Sequence, residues 1–169
     1  MLYGEGVIFM KKRYMLAFAG AAAGGMAMHF AYAVYPAALV GVFAPVNESV
    51  WEHLKLLFWP FLGAGFAVNA REENKRRAWS GFLAAELAMP VWVMGIYYLM
   101  EAGFGVQALA VEIGLYLAAL GGGFALSYRT ARSGRGERLA GVLVILVGLY
   151  GAALILFTLA PPGLPVFTP

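Results

Sequence analysis

An all-α integral membrane bundle of five transmembrane helices is the fold class this sequence predicts, and three observations predict it. The 169 residues are 62% hydrophobic and only 12% charged, with a mean hydropathy of +0.76, outside the range of soluble domains. Five apolar stretches reach roughly 20 residues, the length at which a helix rising 1.5 Å per residue crosses ~30 Å of hydrocarbon. Eleven of the twelve basic residues fall in three sets that a five-span chain places on one side of the membrane. Those sets are Lys11, Lys12 and Arg13; Arg71, Lys75, Arg76 and Arg77; and Arg129, Arg132, Arg135 and Arg138.

The first expected span is 14–35. Its Lys-Lys-Arg lead could suggest a secretory signal, but the apolar run is longer than a signal core, so it reads as a retained helix. The apolar piece 37–43 lies between Pro36 and Pro45 and is too short to cross, so an interfacial or re-entrant turn is expected there. The second span is 49–70, the third 78–100, the fourth 107–128 and the fifth 139–160. Loops are short and no soluble domain remains, leaving one membrane domain over 1–169. Gly20, Gly24, Gly25, Gly63, Gly65, Gly121, Gly122, Gly123, Gly148 and Gly151 put small residues inside helices, where backbones can approach closely.

The positive-inside rule sets the N-terminus in the cytoplasm and the C-terminus outside. Localisation is then multi-pass in a cell membrane, the inner membrane of a bacterium or archaeon. The net charge of +3 and pI of about 9.3 describe orientation and give nucleic-acid binding no support. Expected partners are the lipid bilayer and an unidentified lipid or small molecule, with a homo-oligomer left open. Zero cysteines excludes disulfides, thiol catalysis and thiolate metal sites.

Chemistry concentrates in 45–55 (PVNESVWEHLK), where Asn47, Glu48, Glu52, His53 and Lys55 precede an apolar run. Charged groups in hydrocarbon cost at least a few kcal/mol each, so such a cluster persists only if paired, hydrated or employed. The topology puts His29 ~9 Å below the outer end of the first span and Glu112 ~7 Å into the fourth from the same side. Glu48, Glu52 and His53 occupy the outer turn of the second span, so five ionisable groups from three helices share one layer. On a regular helix Glu48, Glu52 and Lys55 form one stripe, whereas His53 points about 100° from Glu52. One metal therefore cannot take Glu48, Glu52 and His53 together. Either the first turn is distorted, or carboxylates and imidazole serve two neighbouring pockets.

Structural explanations compete. Ser49-Val50-Trp51-Glu52 matches a capping box, Glu52 and Lys55 can pair locally, and Asn47 suits a turn. His29, Glu48, His53 and Glu112 have no such local partner. Glu86 falls mid-span, four residues before Pro90, where a bend is expected and a protonated carboxyl can hydrogen-bond across helices. Trp51, Trp59, Trp79, Tyr35, Tyr97 and Tyr128 read as interfacial belt residues.

The segment PVNESVWEHLKLLFWP, the HFAY around His29 and the ending FTLAPPGLPVFTP resemble a family of small bacterial integral membrane proteins of unknown function. The resemblance covers most of the chain. It implies a five-helix membrane fold, with His29, Asn47, Glu48, Glu52 and His53 as motif residues, and no activity.

Three functions follow from the residues. In the first, His29, His53 and Glu112 ligate a divalent metal, zinc, iron or manganese, and Glu48 and Glu52 assist catalysis of hydrolysis at the membrane. The Pro-rich end 161–169 would lie beside this site as a lid. In the second, the same groups form a proton-linked transport site or channel for an ion or small solute, with Glu86 as a deeper relay and Asn47 and Lys55 in the polar site. In the third, His29 and His53 are axial ligands of a haem for electron transfer. The metal site uses the most residues. Transport lacks an internal repeat, and haem leaves the carboxylates unexplained.

Overall fold

A computed structural model describes residues 2–106, 108–134 and 136–168, with side chains from Lys12 onward. Gln107, Arg135, Pro169 and the side chain of Lys11 lie outside the described residues. Among the described residues every regular element is helical. In chain order they are α1 (Leu2–Val34), α2 (Ala38–Phe43), α3 (Val50–His53), α4 (Lys55–Asn69), α5 (Lys75–Tyr98), α6 (Leu109–Ser133) and α7 (Ala140–Leu159). A π-turn, Leu99–Gly103, extends α5, and short 3₁₀ turns precede and follow α7 at Glu137–Leu139 and Pro165–Phe167.

Four helices are long and apolar enough to cross a membrane: Lys12–Val34, Lys75–Gly103, Leu109–Ser133 and Glu137–Leu159, of 23, 29, 25 and 23 residues. The expected second span differs. It is divided at Leu54, whose amide donates to the Trp51 carbonyl at 3.2 Å and whose carbonyl accepts from both Leu57 and Phe58. Such i to i+3 bonds tighten the turn and leave α4 with 15 residues, below the length of the other four. Two further boundaries move. Helix α1 starts well before residue 14, as no proline interrupts 2–13, and the short piece 37–43, expected as an interfacial or re-entrant turn, contains a six-residue helix, α2. Helix α5 runs through Pro90 without interruption.

Packing is aromatic at the centre. Phe61 of α4, Phe82 of α5 and Phe124 of α6 meet with ring centroids 4.8–5.9 Å apart, and Tyr14 and Phe18 of α1 close the cluster. A second cluster joins Leu54 and Phe58 to Leu83 of α5 and Val147 and Leu154 of α7. Helices approach where glycine permits. Pro60 lacks an N–H, so it cannot bond the Leu56 carbonyl, and Gly25 of α1 lies against that oxygen, where a Cβ would stand 2.7 Å away. Gly151 similarly admits the Phe58 ring. Gly20, Gly63 and Gly148, expected to pack in the same way, have open space around the Cβ position.

One end of the bundle is basic. Arg13 donates to the Val68 carbonyl and pairs with Glu72 at 3.2 Å; Lys75 Nζ donates to the Asn69 and Ala70 carbonyls at 2.8 and 2.7 Å. Arg77 donates to the Ala131 carbonyl at 2.5 Å and to that of Arg132, where α6 ends at Gly134 with a φ of +68°. Cations thus sit on the negative ends of α4 and α6. The opposite end carries the polar motif.

Candidate metal centre

Residues 44–49 form the loop that leads into α3. Asn47 starts it by turning back: its Oδ1 accepts from the Ser49 amide at 2.9 Å. Ser49 then caps α3, its Oγ accepting from the Glu52 amide at 3.4 Å. The expected reciprocal arm of the capping box is absent, because Asn47 already holds the Ser49 amide and the Glu52 carboxylate is engaged elsewhere.

Glu52 is 2% exposed and Lys55 is 0% exposed. Lys55 Nζ meets Glu52 Oε2 at 2.6 Å, the Gly41 carbonyl at 2.6 Å and the Ala44 carbonyl at 3.4 Å, so the three ammonium protons have three acceptors. Glu52 Oε2 also accepts from the Val46 amide at 3.0 Å, and Oε1 accepts from Thr158 Oγ of α7 at 2.8 Å. This knot ties α2, the loop, α3, α4 and α7 together. Glu52, expected beside a reaction centre, is fully occupied as a structural anion.

His29, Glu48 and His53 form a different group. Each offers one ligand atom, and the three atoms all lie within 4.8 Å of one another. His53 Nε2 is 3.4 Å from Glu48 Oε2, and the imidazole centroids of His29 and His53 are 5.2 Å apart. The tautomer of His53 follows from its other nitrogen. Nδ1 lies 2.9 Å from the Ser49 carbonyl oxygen, which can only accept, so Nδ1 carries a proton. In neutral His53 the Nε2 lone pair then faces a carboxylate, a repulsive arrangement that a shared cation, proton or metal, turns into an attractive one.

Backbone-anchored imidazole is also the usual second shell of a metal ligand. Bond lengths of about 2.0–2.2 Å to nitrogen and oxygen ask the three atoms to draw slightly closer than their present spacing. The Glu48 side chain, 73% exposed and in contact with His53 alone among the ion pairs of the described residues, can make that movement. Two imidazoles and one carboxylate fit zinc, iron or manganese and leave coordination positions open.

The helix angles put Glu48 on one stripe with Glu52 and Lys55, apart from the imidazole; in the structure only Glu52 belongs with Lys55, and Glu48, which precedes the helix and so escapes its angular register, turns to His53. Glu112 lies outside the group, exposed in the first turn of α6 and within electrostatic reach of Tyr97 of α5. Glu86 is 1% exposed in α5, and its Oε1 has no hydrogen-bond partner among the described residues. Trp51, expected at an interface, packs inward on Tyr150, Phe157 and Phe167, with a buried indole nitrogen that is likewise unpartnered. Phe167 brings the Pro-rich end onto α3, and no sequence signal pointed to Thr158, 106 residues from the carboxylate it serves.

The model of a family of unknown function, DUF6512, matches residues 8–169. The chain belongs to that family. The match takes in the polar residues of the DUF6512 chain described in this section, from His29 to Thr158. No curated protein and no solved structure matches it.

Proposed function

We propose that this chain is a multi-pass cell-membrane protein whose His29, Glu48 and His53 hold a divalent metal at the outer face and use it to hydrolyse a substrate at the membrane. Topologically the reading takes five crossings, with α3 and α4 together as the second, the basic end in the cytoplasm and the C-terminus outside. The observation that carries it is the convergence of three ligand atoms from α1, the 44–49 loop and α3 within 4.8 Å. A metal there would lower the pKa of a bound water and supply a nucleophile near neutral pH. The protein's part is to fix the imidazoles, His53 through the Ser49 carbonyl, and to leave Glu48 at the open side for proton transfer or ligation.

Haem is a poorer fit. It would use His29 and His53 alone and leave Glu48, whose carboxylate lies 3.4 Å from His53 Nε2, without a role. Proton-linked transport keeps one specific support, the unpartnered Glu86 oxygen in the middle of α5. Elemental analysis and a visible spectrum of purified wild type and His53→Ala test the assignment. Stoichiometric zinc, iron or manganese in wild type alone, without a Soret band, is the expected result. Metal-free wild type under metal-replete growth would overturn it.

A further inference from the structure

An apolar groove with a volume of about 700 Å³ lies between α1 and α4. Its α1 wall carries Gly20 and Gly24, its α4 wall Gly63 and Ala64, and Trp59 and Phe43 close one end. Arg13 stands at the other. From Arg13 to Met28 the groove follows α1 for roughly 22 Å at 1.5 Å per residue. The fold does not need it. Gly20 and Gly63 have nothing within 4 Å of the Cβ position, so the chain's own packing does not require glycine at either site, and alanine there would be a better helix former. These glycines widen the trough between the two helices.

Shape and charge select the occupant. A two-fold dimer would set this concave surface against its own copy, and two troughs face to face leave both unfilled. A single extended hydrocarbon chain matches a narrow apolar channel of this length. Charge gives the rest: Arg13, the charged residue of the lining, pairs with Glu72 at 3.2 Å, and Lys12 and Arg71, each next in sequence to one member of that pair, are exposed with no acceptor among the described residues. A negatively charged headgroup at that end would meet two uncommitted cations at the leaflet surface.

We infer that the α1/α4 groove holds an acyl chain of an anionic phospholipid of the cytoplasmic leaflet, with its phosphate between Lys12 and Arg71. This rests on the membrane orientation proposed above and not on the metal. The test uses full-length protein in nanodiscs of phosphatidylcholine doped with phosphatidylglycerol, with retained lipid counted by native mass spectrometry. Wild type should retain phosphatidylglycerol several-fold above its share of the disc. Gly20→Leu/Gly63→Leu should lose the retained lipid, and Lys12→Gln/Arg71→Gln should keep a lipid but lose the preference for phosphatidylglycerol. Equal retention by wild type and the leucine variant would overturn the inference. A cross-linkable dimer in wild type that the leucine variant abolishes would also overturn it, by assigning the groove to a second copy. Metal content read on the same samples separates this outcome from that of the metal centre.

Discussion

Two polar clusters sit within a few residues of each other at one end of the bundle, and they are built on opposite plans. In the Glu52–Lys55 knot both charges are buried and every ammonium proton and carboxylate oxygen has a partner at 2.6–3.4 Å. In the His29–Glu48–His53 group the side chains are half-buried or exposed, and lone pairs face one another. Complete pairing marks a group spent on structure. Convergent ligand atoms from three separate segments mark a place for a cation. The knot earns its position by fixing the loop from which Glu48 projects, since Val46 N–H and the Ala44 carbonyl are both bound to it.

The largest effect should come from breaking the knot on one side. Lys55→Met leaves the Glu52 carboxylate buried and uncompensated, and should cost about 3–5 kcal/mol of stability in detergent unfolding. Glu52→Gln combined with Lys55→Met should recover much of that loss, because no unpaired charge remains. A Lys55→Met protein that unfolds like wild type would remove the structural reading of the pair. Next in size is the triad. His53→Ala should weaken metal binding at least 100-fold, about 2.8 kcal/mol, while unfolding within about 1 kcal/mol of wild type, as expected away from tightly packed features. If instead the two substitutions exchanged phenotypes, the division between the clusters would be wrong. Thr158→Val tests the link to α7. It removes one bond to a charged acceptor and should cost about 1.5–3 kcal/mol, read by the same unfolding experiment.

Composition and apolar run length made the helical class legible, and the PVNESVWEHLK segment made the polar end legible, because both are local properties of the chain. The separation of Glu52 from His53 was legible too, since 100° per residue forbids a shared ligand sphere on a regular turn. What sequence could not show was long-range: Thr158 closing the Glu52 shell, the Gly41 and Ala44 carbonyls receiving Lys55, and the inward packing of Trp51 under Phe167. The division at Leu54 was hidden for a similar reason. Glu52 and Lys55 sit on either side of it, and their partners lie on α2, the 44–49 loop and α7, contacts that no helix propensity encodes.

Glu112 provides the smallest expected effect and the sharpest check on how depth was inferred. Counting residues from the span ends put it in the same layer as the histidines, and that argument fixes height alone. The packing of α6 decides which way it faces, and its ligand atoms fall outside the group that His29, Glu48 and His53 make, with Tyr97 of α5 as its electrostatic neighbour. Glu112→Gln should therefore leave metal affinity within about twofold of wild type, under ~0.5 kcal/mol, when titrated beside Glu48→Gln. Glu48→Gln replaces an anionic ligand with a neutral amide and should lose much more. A Glu112→Gln protein that loses metal as Glu48→Gln does would mean that α6 closes on the site when the ion binds, making Glu112 a fourth ligand.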